Sequence, residues 1–545
     1  MASIEQRKWE VREGEPGPGP VVYWMQREQR AADNFGLLYA QSRARELKRP
    51  LGAIFCLVDS FLGAGMRQFA FMLRGLEETE EKLRRKNIPF FLLRGDPGKE
   101  IPRFVKKCQA ALLVGDFNPL RLPLTWQKKV ARAVTVPFDE IDSHNIVPCR
   151  IASDKQEYAA YTFRPKIHKL LPDFLKKPPT LKKHPINWPG STDIPVYGPS
   201  SRPSPHRQEC LCYTADGSTD IPVCGPSSRP SPHRQECLCY TAEGSTDIPV
   251  CGPSSRPSPH RQECLCYTAE GSTDIPVCVS VDWEKALASL KVDSSIGEVD
   301  WIKPGEKAAR ARLKKFIKEK LARYPEDRND PNLDGQSGLS PYLHFGQLSP
   351  LRAALEVRNS SAPKEAKEAF LEELIVRREL SDNFCFYQPK YDRVEGFPEW
   401  AKKNAAGHRS DRREYIYTPK QLEAAGTHDD LWNAAQTELV VRGTIPGYLR
   451  MYWGKKILEW SESAEQALAT AIDLNDRYQL DGRDSNGYAG VAWAVGGVHD
   501  RPWPSRPVFG KVRYMNYNGC RRKFDVKTYI ARATALQTPA AAPGP

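Results

Sequence analysis

The chain has 545 residues, 40% of them hydrophobic and 10% aromatic, a formal net charge of +13 and a pI near 9.0. That length supports two or three cores, and the composition excludes wholesale disorder. The positive balance points to an anionic partner, nucleic acid first. The longest uncharged apolar stretch, Asn486–Val498, is too short and Gly-rich to span a bilayer, and the N-terminal residues read as neither a signal nor a transit peptide.

Residues 1–19 read as an N-terminal extension. Strands are expected at Pro20–Met25, Leu51–Val58, Pro89–Leu93, Ala111–Asp116 and Val136–Ile141. Between them fall the helical patterns Asn34–Glu46, Phe61–Lys86, Ile101–Gln109 and Trp126–Val134. This alternation predicts an α/β domain over residues 20–150, a doubly wound parallel sheet of Rossmann-like type. Ligands of such sheets sit beyond the carboxyl ends of the strands. No strand is followed by G-x-G-x-x-G, and Gly63-Ala64-Gly65 is a lone pair, so dinucleotide dehydrogenase chemistry is disfavoured. Residues 151–189 read as a linker containing the basic stretch KKPPTLKKHP (Lys176–Pro185).

Residues 190–278 form a tandem array. GSTDIPVYGPSSRPSPHRQECLCYTAD begins at Gly190, recurs from Gly217 and Gly244, and ends in a truncated copy at Cys278. The period of 27 residues raises a solenoid, but each unit is Pro-, Ser- and Gly-rich and offers no apolar face to a neighbour. A disordered insertion is expected. Nine of the fourteen cysteines lie in it; His206, Cys210 and Cys212 and their repeats supply three soft ligands per unit, not a recognised four-ligand zinc spacing, and no metal site is assigned. The other five cysteines are scattered, as a reducing compartment permits. Each full copy carries one net negative charge and Asp274 adds another, so the array holds −4 and the remainder of the chain +17. The basic character therefore belongs to the folded domains.

From residue 279 to 532 the pattern turns all-α, with helices expected over Lys307–Tyr324, Pro363–Asn383, Thr437–Trp460 and Ser463–Arg477 and a short Ala/Pro-rich tail at 533–545. Glu373 and Arg377 lie four apart on one helix face, where a surface ion pair of little worth would account for them equally well. GQSGLSP (Gly335–Pro341) is a Gly-rich turn opening a helix, suited to phosphate, although an N-cap accounts for Ser337 or Ser340 equally well. Trp453 and Trp460 stand two helical turns apart, about 10 Å in rise. Buried indoles need a partner for their N–H, so a core seldom uses two where Leu would fill the space.

Five segments together carry a family likeness: RNDPNLDGQSGLSPYLHFGQLSP (Arg328–Pro350), ELSDNFCFYQP (Glu379–Pro389), THDDLWNAAQTEL (Thr427–Leu439), MYWGKKILEWSES (Met451–Ser463) and LNDRYQLDGRDSNGYAGVAWAVGGVHDRPW (Leu474–Trp503). YWMQREQRAADNFGLLYAQ (Tyr23–Gln41) and the stretch Glu140–Phe174 extend it through the first domain. The chain resembles the class II cyclobutane pyrimidine dimer photolyases of the photolyase/cryptochrome superfamily.

The resemblance implies FAD, reduced and anionic in the active state, bound in the helical domain. Tyr324, Gln336, Ser337, Gly338, Leu339 and Ser340 would hold its diphosphate. Arg450 and Asp481 would form a salt-bridged pair beside the isoalloxazine, Asn475 would face its N5 edge, and Arg483 would complete the shell. Glu373 would hydrogen-bond the dimer, with Arg377, Met451, Trp493, Arg501 and Trp503 around it, and Trp453, Trp460 and Trp432 would carry electrons to the flavin from the surface. The implied activity is light-driven cleavage of the cyclobutane ring, a carbon–carbon lyase reaction on a dimer flipped out of double-stranded DNA. An antenna chromophore of unspecified identity in the first domain, a monomer, and a nuclear location with a mitochondrial share left open complete the expectation. A cryptochrome-like photoreceptor and a DNA-binding protein without repair activity stay open beside it.

Overall fold

The computed structural model describes residues 2–189 and 280–536; the repeat array, with its expected disorder, and the end of the tail lie outside the described residues. Six strands build the sheet: β1 (Lys8–Arg12), β2 (Val21–Trp24), β3 (Leu51–Leu57), β4 (Phe90–Arg94), β5 (Leu112–Asp116) and β6 (Phe138–Ile141), in the order β1-β6-β5-β2-β3-β4. β2 to β6 pair in parallel. β2, β3 and β5 are buried on both faces, which is why they read as continuous apolar runs. Successive side chains serve opposite faces: Val21 and Tyr23 join the core shared with the helices Phe35–Glu46 and Met66–Arg84, whereas Val22 and Trp24 join that of Pro97–Lys107 and Arg121–Ala133. The sheet is thus doubly wound. Its winding reverses between β2 and β5, which places a crevice at their carboxyl ends.

β1 lies in the segment read as an extension. It pairs antiparallel with β6, Trp9 opposite Glu140, and closes the sheet edge. Its residues KWEVR alternate charge with apolar groups and stay half-buried, so no continuous apolar run marked it.

The second domain is helical, with two departures from expectation. Thr437–Trp460 is not one helix but the end of one, Asp430–Arg442, and the whole of a second, Gly447–Trp460. Gly443 closes the first in the left-handed region at φ +63°, and Pro446 precedes the second. Pro363–Asn383 is continuous but changes pitch: α-helix over Lys364–Leu371, π-helix over Glu372–Arg377, α-helix again over Arg378–Tyr387. No helix among the described residues is long and apolar enough to cross a membrane. Cys56, Cys108, Cys149, Cys385 and Cys520 are free and buried.

The two domains meet through buried charge. Arg27, just past β2, donates to both oxygens of Asp382 at 2.8 and 2.9 Å, and Asn145 donates to the same carboxylate at 3.0 Å. Asp116 at the end of β5 accepts the backbone N–H groups of Gln26, Arg27 and Glu28, which sets the loop that presents Arg27. Arg67 adds a strap, donating to the carbonyls of Tyr478 and Val440. Burial alone would raise the Asp382 carboxyl, but Arg27 holds it down at about 2. Because the folded carboxyl titrates below its unfolded value of about 3.9, its contribution is present above pH ~4 and is lost as the pH falls towards 2. Arg27→Met leaves the Asp382 charge buried without its partner, and a loss of about 3–5 kcal/mol is expected from urea unfolding at pH 7.

Candidate cofactor and substrate cavity

A cavity of about 740 Å³ opens in the helical domain, within the ~300–1,000 Å³ usual for cofactor sites. Of the residues predicted from sequence, Tyr324, Gln336, Ser337, Gly338, Leu339, Ser340, Glu373, Arg450, Met451 and Asp481 line it.

At one end the Gly-rich turn is built tightly. Gly338 sits at φ +64°, and a Cβ there would stand 2.4 Å from the Arg312 guanidinium. Ser337 Oγ accepts from Leu339 N at 3.3 Å, and the helix Ser340–His344 has no side-chain cap, so the capping alternative falls away for both serines. Arg312 and Arg442 also line this end, each with its guanidinium 5.5–5.6 Å from the Trp301 ring centre. Sequence reasoning missed both. Arg312 lies in EKAARARLKKFIKE, where nothing separates one cation from its neighbours.

At the other end the expected Arg450–Asp481 salt bridge is not formed. Arg450 Nε and Asp481 Oδ1 are buried with no partner among the described residues, and both residues face the cavity. Buried polar atoms left without a hydrogen bond are costly unless a polar guest satisfies them. The FAD that the resemblance implies is such a guest: its diphosphate suits the glycine turn and the two arginines, and its flavin ring offers donors and acceptors to Arg450 and Asp481.

Asn475 and Arg483 are placed differently from expectation, and neither lines this cavity. Asn475 Nδ2 donates to Asp476 Oδ1 at 3.0 Å. Asp476 also accepts from Arg483 N at 2.8 Å and from the Tyr488 hydroxyl at 3.0 Å, while the Arg483 guanidinium donates to the Asp476 carbonyl. Arg483 itself adopts φ +63°. Asp476 thus holds the turn that carries Asp481, a role invisible to motif reading.

Glu373 accepts from Arg328 at 2.9 Å, a residue behind the lining that sequence reasoning did not single out. The Glu373–Arg377 surface ion pair, left open as the alternative reading, does not form. Arg377 instead lies 3.5 Å from Glu372, which also receives both guanidinium donors of Arg164 at 2.7 and 3.0 Å. The cause is the π-turn, whose wider pitch takes residues four apart out of register; such turns often occur at functional sites. Arg377, Trp493, Arg501 and Trp503 lie outside the cavity lining. Trp493 follows lining residue Gly490 by one helical turn, and Arg377 is close enough to the half-buried His499, two residues before Arg501, to oppose its protonation.

The three tryptophans form one contact series. Trp432 lies parallel to Trp453 with ring centres 6.4 Å apart, and 5.6 Å from Trp460 at a steep angle. Trp432 Nε1 donates to the Trp453 carbonyl and Trp453 Nε1 to Gln436. All three are fully buried, so none is the surface end that was expected. Ring contacts continue from Trp460 to Tyr417 and His428, and from His428 to the exposed Tyr415.

A second cavity of about 130 Å³ sits at the β2/β5 crevice, lined by Trp24, Met25, Phe55, Leu57 and Asn118 and, from the helical domain, by His344, Arg483 and Asp484. It is smaller than a typical cofactor site, and no light-harvesting step is assigned to it.

A doubly wound sheet joined by buried charge to a helical domain with a cofactor-sized cavity defines a two-domain cofactor-binding protein. The model of the family described as DNA photolyase matches residues 21–184. The chain is 42% identical to a deoxyribodipyrimidine photo-lyase of Potorous tridactylus, over 93% of this chain and 80% of that one. It is 40% identical to that of Arabidopsis thaliana, over 95% and 89%. The fold is also similar to the crystal structure of a class III photolyase from Agrobacterium tumefaciens, with a TM-score of 0.62 at 15% identity, covering 95% of this chain and 86% of that one. The chain belongs to the DNA photolyase family.

Asp476→Ala orphans the buried donors of Asn475 and Tyr488 together with Arg483 N. A loss of about 2–4 kcal/mol is expected at these costs per group, read by thermal unfolding, with the turn at Arg483 the first region to exchange its amides.

Proposed function

We propose that the chain is a class II deoxyribodipyrimidine photo-lyase, a light-dependent DNA repair enzyme that holds FAD in the large cavity and splits cyclobutane pyrimidine dimers in double-stranded DNA. The observation that carries the reading is the unpartnered Arg450 and Asp481 in the same cavity as Glu373. When bound, the reduced flavin supplies under light the electron that opens the cyclobutane ring, and recovers it afterwards.

The remaining work falls to the chain. Gly338, Ser337, Arg312 and Arg442 anchor the diphosphate. The Arg450 guanidinium favours negative charge on the ring system beside it, and Asp481 offers an acceptor. Asn475, through Asp476, acts on the site from behind. Glu373, oriented by Arg328, hydrogen-bonds the dimer and stabilises the charge that develops on it. Arg377, Met451, Trp493, Arg501 and Trp503 surround the entrance, where a dimer, cheaper to unstack than intact bases, is taken from the duplex. Trp453, Trp432 and Trp460, in that contact order, return electrons to an oxidised flavin; Tyr417 and His428 continue the path outward. Phosphate contacts make DNA affinity fall steeply with salt. A monomer working in the nucleus suits this task.

The test is illumination of purified, reduced protein with a dimer-containing oligonucleotide, watching thymine absorbance return; no return in light would leave a photoreceptor or a mere DNA binder. Glu373→Ala is expected to slow repair about 10- to 100-fold, the value of a hydrogen bond to a charged group. Trp453→Phe and Trp432→Phe are expected to abolish light-driven re-reduction of the flavin while chemically reduced protein still repairs. A large repair defect in that reduced protein would contradict this separation of roles.

A further inference from the structure

Lys455 has no part in the scheme above, yet its environment is unusual: the residue is fully buried, and its Nζ makes one hydrogen bond among the described residues, to the Trp493 carbonyl at 3.4 Å. The same ammonium sits 4.3 Å from the centre of the Trp493 ring. Arg513 lies next, its guanidinium 5.5 Å from Trp493 and 4.4 Å from Trp503, and Arg501 stands 5.1 Å from Trp503. Cation and indole therefore alternate from a buried lysine to an exposed arginine. Asp500 ties the outer members, accepting from Arg513 at 3.0 and 3.2 Å and from Trp503 Nε1 at 3.4 Å.

We propose that Lys455 is a positioning residue for lesion recognition: its buried ammonium is the inner anchor of this stack and holds the two indoles in the orientation that receives the dimer. The inference rests on the photolyase reading, because that reading places Trp493 and Trp503 at the lesion. A lysine is an expensive way to fill a core position, since an uncompensated buried charge costs far more than the methylenes return. Met or Leu would pack as well. What they lack is attraction for a π face, worth most where water is excluded. The helix geometry agrees: at about 100° per residue, Lys455 lies on the side of its helix opposite Trp453 and on the same side as Met451.

The anchor is also titratable. Burial lowers the Lys455 ammonium from its ordinary range to about 7; Asp500 opposes the fall, and Arg513 adds to it. These are the two charged groups that bear on it from the segment packed against its helix. The protonated, stacking form thus prevails below pH ~7 and is lost above it.

The experiment measures binding of a fluorescent duplex carrying one thymine dimer, against the undamaged duplex, from pH 6.0 to 8.5 at fixed salt. Wild type is expected to lose about threefold to tenfold of its preference for the dimer across that range, with a midpoint near 7. Lys455→Met should start at the weaker value and stay flat; Lys455→Arg, whose charge does not titrate, should stay near the stronger one. Bound-flavin absorbance reports whether each variant folds. Should both core variants fail that check, wild type and Asp500→Asn decide, the latter shifting the midpoint to lower pH. A flat wild-type profile, a Lys455→Met profile matching wild type, an Asp500→Asn midpoint that does not fall, or a Lys455→Arg variant as weak as Lys455→Met overturns the proposal. A wild type without preference for dimer DNA at any pH defeats the photolyase reading itself.

Discussion

The geometry of the whole protein hangs on one buried ion pair, Arg27 with Asp382, and on the polar shell that makes it affordable. Asp382 shares its helix with Arg378 and Glu379, directly after the π-turn that carries Glu373. Arg27 leaves the carboxyl end of β2, fixed by backbone donors to Asp116. The bidentate contact therefore sets the wall of the large cavity against the sheet. Glu379, two contacts away, accepts from Ile146 N at 2.5 Å and sits in such dry surroundings that its carboxyl is pushed up to about 8. Charges so deeply placed contribute little net stability. Their value here is angular: two planar, hydrogen-bonded groups allow one docking orientation where apolar contacts would allow several.

What was legible from sequence follows from how each element is buried. Strands enclosed on both faces announced themselves by composition, and Asn34 and Ser463 marked helix starts that they do cap. β1 was missed because an edge strand keeps half its surface wet. The break at Gly443 was present in the sequence as Gly and Pro three residues apart, but the surrounding apolar periodicity masked it. The π-turn had no signature at all, since one extra residue in a helical run leaves composition and spacing unchanged.

The site divided along similar lines. Residues on the Gly-rich turn, and Glu373, Arg450, Met451 and Asp481, were reachable because long motifs carried them. Partnerships were not. Pairing Arg450 with Asp481 assumed that opposite charges near in function must touch, whereas both line the cavity without an ion pair between them, and the alternative Glu373–Arg377 pair is separated by pitch. Arg312, Arg328 and Asp476 act through tertiary neighbours 25, 45 and 12 residues away, beyond the reach of any local pattern.

The helix Gly447–Trp460 shows why a single segment looked so dense in aromatics. It is buried nearly all round, so every side faces other protein and each can be given a separate task. Trp453 turns toward Trp432 and Gln436. Met451 and Lys455, four residues apart, turn toward the helix Ser485–Gly496, where Gly454 meets Ala494 so closely that a Cβ would stand 2.8 Å from the alanine methyl. Arg450 reaches the large cavity with a free donor. In the proposed scheme, electron supply and lesion contact fall on opposite sides of one rigid rod. A hole on Trp453 lies beside neutral indole and amide, while any hole on Trp493 would sit between Lys455 and Arg513, two cations that disfavour it. On the proposed reading, the charges that would orient Trp493 toward a lesion also raise the cost of a hole there.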